Sequence, residues 1–138
     1  MMTKKGLIGF FLLFILAASC RQGITYDGFD DSKFLSTFEL YQEKTYRDLD
    51  EALEQPEDVK KLVLFMKDLD KVPDEIIEMK YLNTLELTRN RISDLPAFLG
   101  DMIYLQSLYL SDNLFESIPA EAFEMPRLKR IKMEGNSL

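Results

Sequence analysis

Leu82-Asn-Thr-Leu85-Glu-Leu87-Thr-Arg-Asn90-Arg-Ile92 recurs, 23 residues later, as Leu105-Gln-Ser-Leu108-Tyr-Leu110-Ser-Asp-Asn113-Leu-Phe115. Leu85 and Leu87 alternate with Thr84, Glu86 and Thr88, so a short strand can turn two aliphatics inward and polar groups outward. The same offset aligns the chain with itself from residue 59 to the end. Val59, Leu82, Leu105 and Leu128 share a column; so do Leu62, Leu85, Leu108 and Ile131, and then Leu64, Leu87, Leu110 and Met133. Further along each unit come Leu69, Ile92, Phe115 and Leu138, then Val72, Leu95 and Ile118, then Met79, Met102 and Met125. All these slots are apolar in a chain that is 46% apolar, an outcome expected by chance on the order of 10⁻⁷ to 10⁻⁸ of the time for a prechosen register. Pro73, Pro96 and Pro119 occupy one further column and Asn90, Asn113 and Asn136 another.

A single unit of this size cannot bury its own leucines. Stacked in parallel, neighbouring units bury them jointly, at about 1.5–3 kcal/mol for each fully buried aliphatic, and about three units are the minimum. The pattern LxxLxLxxNxL, followed by Leu95-Pro96 and Ile118-Pro119, resembles the 23-residue type of leucine-rich repeat over residues 59–138. The resemblance implies an α/β solenoid: a short curved parallel sheet on the concave face, and short helical or irregular segments on the convex face. It also implies that the asparagine amides bond backbone groups of the turn and the adjacent coil as a ladder. The first unit has Lys67 in that column and so lacks an acceptor, which predicts a looser or differently capped first turn. Pro in its column suits the start of a return segment, with Asp74-Glu75 and Glu121 placed where a helix N-terminus favours negative charge. The methionine column reads as interior filler.

Upstream, Thr45-Tyr-Arg-Asp48 approximates a capping box, and Tyr46, Leu49, Ala52 and Leu53 follow at helical spacing up to Gln55-Pro56. This predicts an N-terminal helical cap over residues 34–58, with Phe34, Leu35, Phe38, Leu40 and Tyr41 extending it. The repeat domain then comprises 59–81, 82–104, 105–127 and a partial unit 128–138. After the fourth predicted strand and Asn136 no return segment is written, so the edge is expected to be covered by a homodimer or another protein, or the chain to be a truncated relative of a longer one.

The N-terminus carries Lys4 and Lys5, then a run without charge from Gly6 to Ser19. A helix of that run rises about 21 Å, short of the roughly 30 Å hydrocarbon core, so 1–19 reads as a cleavable leader and not a span. Leu16-Ala17-Ala18-Ser19-Cys20 resembles the lipobox of bacterial lipoproteins, with Ala17 where Leu is commonest. That resemblance implies cleavage before Cys20 and diacylation of its sulfur, the alternative being an ordinary signal peptide with a free thiol. Two or three acyl chains, at about 0.8 kcal/mol per buried methylene, make a stable anchor. Residue 21 is Arg, not the Asp that resembles an inner-membrane retention signal, so the outer membrane is favoured over the inner, with surface display undecided. Residues 20–33 are expected to form a tether between lipid and domain.

Composition narrows the function. Net charge is −7, and −9 without the two leader lysines, the wrong sign for a phosphate-backbone partner, so no nucleic acid is expected. There is no His, one Cys and no Trp, which removes His-based catalysis, His metal sites, internal disulfides and Cys-cluster metals. With no phosphate loop and no nucleophile–base pair either, neither enzyme activity nor a cofactor is expected. The leucine-rich resemblance places recognition of a protein or peptide on the concave strand positions: Val63, Phe65, Met66, Glu86, Thr88, Arg89, Tyr109, Ser111, Asp112 and Lys132. The apolar first row reads either as a small contact site or as surface buried by the cap. Tyr109, in mid-sheet, is either a hot spot or a solvated tyrosine. The Arg127, Lys129, Arg130 and Lys132 cluster either attracts an acidic partner or is a solvated face. A passive structural envelope lipoprotein is the alternative to an interaction module.

Overall fold

Leu62, Leu85, Leu108 and Ile131 stand side by side in a parallel sheet, each in register with the residue 23 positions on. The structure, a computed structural model, describes residues 29–138; the leader, Cys20 and the tether up to residue 28 lie outside the described residues. The sheet has five strands in chain order: β1 (Thr45–Tyr46), β2 (Lys61–Val63), β3 (Thr84–Glu86), β4 (Ser107–Tyr109) and β5 (Arg130–Lys132). Every neighbouring pair is parallel. The core is the repeat's own columns. Leu82, Leu85, Leu87, Leu105, Leu108 and Leu110 are all fully buried, while Leu128 and Ile131 of the outermost coil are half-buried. Met79, Met102 and Met125 line the convex wall from inside, as filler.

The return segments follow the proline column. Pro73 and Pro96 directly precede 3₁₀ turns at Asp74–Glu78 and Ala97–Asp101, and the third return is an α-helical turn, α3 (Glu121–Glu124), preceded by Ala120 with no side-chain cap. That one-residue shift buries Pro119 and turns Ile118 out to 53% exposure, so Ile118 does not join Val72 and Leu95 in the core. Leu138, predicted to join Ile92 and Phe115, is likewise exposed.

The asparagine amides form a ladder that runs backwards. Asn90 accepts from the N–H groups of Lys67 (3.0 Å) and Leu69 (3.1 Å) and donates to the carbonyls of Leu64 and Leu87 (2.8 Å each). Asn113 accepts from Ile92 N–H and Asn136 from Phe115 N–H, each at 3.1 Å. Each amide therefore holds the turn of the coil before it. This is why Lys67 is tolerated in the first unit: its turn is closed by Asn90, and the expectation of a looser first turn gives way to this.

The N-terminal region departs most from expectation. Thr45 and Tyr46 are not the start of a helix but strand β1, pairing with Lys61 and Leu62, and Tyr46 joins the core. The helix, α2 (Leu49–Leu53), starts three residues later with Asp48 as its cap, which accepts from Glu51 N–H at 3.2 Å. Pairing with the open edge of β2 satisfies backbone groups that a longer helix would have left beside a raw sheet edge. Before β1 lies α1 (Thr37–Gln42), closed by a reciprocal box between Ser36 and Glu39. It buries none of its residues: Phe38 is 72% and Tyr41 85% exposed, so these two do not extend the cap.

The predicted tether ends sooner than residue 33, because Phe29 to Leu35 lie as a strap along the edge where the chain enters the strands. Phe29 stacks on Tyr104 (centroids 4.8 Å apart, 12° between planes) with the Arg127 guanidinium 3.9 Å from its centroid. The Asn83 amide donates to the Lys33 carbonyl (3.0 Å) and accepts from Leu35 N–H (3.2 Å), and Gln106 Nε2 donates to the Leu35 carbonyl (2.6 Å). Gln106 also donates to Asn83 Oδ1 at 2.7 Å, so both amides are buried and satisfied. Among the described residues no helix is long and apolar enough to cross a membrane.

Candidate protein-interaction face

The strands point alternate residues inward and outward, so the outward ones make rows across the sheet. One row, fixed by strand register, is Val63, Glu86, Tyr109 and Lys132. Parallel sheets ordinarily have both faces covered. Here the row is half-exposed from Val63 to Tyr109 and exposed at Lys132.

The ten residues expected on this face all lie on it or on its C-terminal rim. Met66, Arg89 and Asp112 fall in one column with Gly135, and all four have left-handed backbone, φ from 54° to 77°. The turn that follows each strand imposes this conformation, although only glycine adopts it without cost. Arg89 Nε reaches Asp112 Oδ2 at 3.3 Å, and its guanidinium lies 5.6 Å from the Phe65 ring. Such an exposed ion pair contributes little on its own. Ser111 Oγ donates to Glu134 Oε2 at 2.8 Å. That hydrogen bond chiefly, with a backbone hydrogen bond and the Lys132 charge, holds the Glu134 carboxyl below its usual range.

The apolar first row is not buried by the cap: Phe65 is 39% and Met66 61% exposed, because the N-terminal region adds a strand beside β2 instead of a helix over it. The basic cluster divides. Arg127 and Lys129 turn to the strap aromatics, with Lys129 Nζ 4.6 Å from the Phe34 ring. Arg130 and Lys132 project from β5 beside Tyr109: Arg130 Nη1 donates to the Tyr109 hydroxyl at 3.1 Å, and Lys132 Nζ lies 5.8 Å from its ring. Tyr109 is thus neither isolated nor fully solvated.

Sequence reasoning placed Arg130 in the basic cluster but did not foresee its contact with Tyr109 or the strap contacts. Asn83 and Gln106 share a column, and two amides recurring just before the strand were the available signal. Among the described residues no group of three or more acidic, Cys or His side chains could hold a metal ion.

In-register parallel strands, backward amide ladder and short convex returns together define a leucine-rich repeat solenoid. A family model described as "Leucine Rich Repeat" matches residues 104–125. Among solved structures, a leucine-rich repeat protein of Leptospira interrogans is similar, at 22% identity and a TM-score of 0.34. The match covers 67% of this chain, which spans only 36% of that protein's length. Comparison with curated proteins gave no match.

Proposed function

We propose that this chain is a lipid-anchored leucine-rich repeat module that holds a protein or peptide on its concave face at the bacterial cell envelope. The observation that carries the reading is the uncovered row Val63, Glu86, Tyr109 and Lys132, in which an apolar, an anionic, a phenolic and a cationic group stand on adjacent strands. A face serving only as spacer has no physical need for four different recognition chemistries in register. The address rests on Ala18-Ser19-Cys20 behind an apolar leader, with Arg21 favouring the outer membrane. Five strands about 4.8 Å apart span roughly 19 Å, less than a standard interface needs, so binding is weak or made avid by clustering in the membrane.

A photo-cross-linking amino acid in place of Tyr109, in intact cells, tests the reading against the same group in place of Glu75 on the convex side. A partner captured from position 109 and not from 75 is expected. A product at twice the chain's mass would identify the partner as a second copy, a role for which the half-buried Leu128 and Ile131 of the outer coil are suited. Equal capture from both positions would sink the proposal. Cys20→Ala is expected to move the protein from the membrane fraction to the soluble one.

A further inference from the structure

Resting on that reading of the concave face, we propose that its ligand is an extended peptide segment with an apolar side chain at one position, a hydrogen-bond donor two residues on, and a carboxylate four residues on.

Val63 and Lys132 are three strand steps apart in one row, about 14 Å at about 4.8 Å per step. An extended peptide laid across the strands presents every second side chain to the sheet, and four residues advance it about 13 Å. Its first side chain meets Val63, flanked by Phe65 and Met66. Its third falls between Glu86 and Tyr109, and its fifth reaches Lys132 and Arg130. The flexible lysine stem absorbs the remaining difference of about 1 Å.

The cationic end is built for a carboxylate. Arg130 and Lys132 are both exposed, and among the described residues neither makes a salt bridge, in a chain of net charge −7. The carboxylate nearest Lys132 along the strand, Glu134, already accepts the Ser111 hydroxyl. Arg130 donates to the Tyr109 oxygen, which leaves the phenolic proton free to donate onward. A peptide carboxylate would therefore meet a guanidinium, an ammonium and a phenol together, the charge-assisted arrangement that gives the stronger hydrogen bonds. Glu86 makes no salt bridge among the described residues and supplies an acceptor for the donor in the middle of the peptide. The overall negative charge by itself favours a basic partner; the row reverses that preference locally.

The test is a fluorescein-labelled peptide of sequence Leu-Ser-Lys-Ser-Glu, amidated at its C-terminus like every comparison peptide so that the glutamate side chain is the carboxylate tested, titrated with the full chain in mild detergent and read by fluorescence anisotropy. Three comparison peptides end in Lys instead of Glu, begin with Ser instead of Leu, or shorten the spacing to Leu-Lys-Glu. Each is expected to bind about five- to tenfold more weakly than the parent, and added salt to reduce parent binding. Lys132→Glu, checked by circular dichroism to be folded, is expected to lose the parent by a similar factor and to gain the Lys-ended peptide. Four peptides that bind alike, or a Lys132→Glu chain that keeps the parent's affinity, would overturn the proposal. If the peptides are indistinguishable while position 109 still captures a partner in cells, only this ligand chemistry falls; if capture also fails, the concave reading falls with it.

Discussion

Asn90→Ala should cost distinctly more stability than Asn113→Ala, although both remove one rung of the same ladder. In wild type, Asn113 donates to the carbonyls of Leu87, Leu110 and Ser111 and accepts from Ile92 N–H. Each of those carbonyls has a second donor: Asn90 for Leu87, Asn136 for Leu110 and Arg89 N–H for Ser111. Truncating Asn113 therefore orphans only the N–H of the fully buried Ile92, which costs about 1–3 kcal/mol. Truncating Asn90 strips the N–H groups of Lys67 and Leu69 and the carbonyl of buried Leu64, while Leu87 keeps Asn113. Lys67 is exposed, so water replaces its partner; Leu69 is half-buried and Leu64 buried. Two poorly hydrated groups then remain, and the expected loss is about 2–5 kcal/mol. Against a typical total of about 5–15 kcal/mol that difference is readily measured by urea unfolding. Equal midpoints for the two variants, or losses below about 0.5 kcal/mol for both, would refute the shared-rung reasoning.

Truncating the spine should follow burial along the stack: Leu85→Ala and Leu108→Ala are expected to lose about 2–5 kcal/mol by urea unfolding, and Ile131→Ala in the half-buried outer coil clearly less. Met66→Gly removes a side chain from a residue at φ 54° and should stabilise by up to about 1 kcal/mol, read as a higher Tm. Gly135→Ala should destabilise, since φ is 77° and a Cβ would collide with Asp112 Oδ1. Ser111→Ala should return the Glu134 carboxyl upward toward its ordinary value in an NMR titration, because the serine hydroxyl is the main cause of its depression. The folded value being the lower one, that contact stabilises the protein above the unfolded-state value and the contribution is lost as pH falls through the folded one. Phe29→Ala should speed hydrogen exchange at Leu35 N–H, which Asn83 otherwise holds, and leave exchange of the buried Ile92 N–H unchanged.

The solenoid was legible because its cause is local and periodic. Leu85 and Leu108 must point inward in any coil of that length, and 23-residue spacing leaves one way to stack them. Seven of the ten concave-face positions followed from the same alternation; Met66, Arg89 and Asp112 have the parity of the inward leucines and reach the rim only because the turn after each strand is left-handed. What they do to one another did not: Arg89 with Asp112, Ser111 with Glu134 and Arg130 with Tyr109 are contacts between coils, chosen by rotamer and neighbour and not by periodicity. The helix start predicted at Thr45, three residues too early, is of the same kind. Its Thr45-to-Asp48 spacing imitates a helix start, whereas the true start, Asp48 to Glu51, carries the same pattern, and the open edge of β2 decided between them.

Sequence alone thus determined the coil length, the buried spine and the amide column, because each repeats an identical environment and repetition is visible in one dimension. Tertiary structure alone decided the N-terminal region: a fifth strand before the first repeat, and a strap in which Phe29 and Leu35 engage Tyr104, Asn83 and Gln106 across 48 to 75 positions of chain. The amides at Asn83 and Gln106 recur with the repeat, but the segment that meets them occurs once, and the free energy of the contact comes from surfaces that exist only after the coils have stacked.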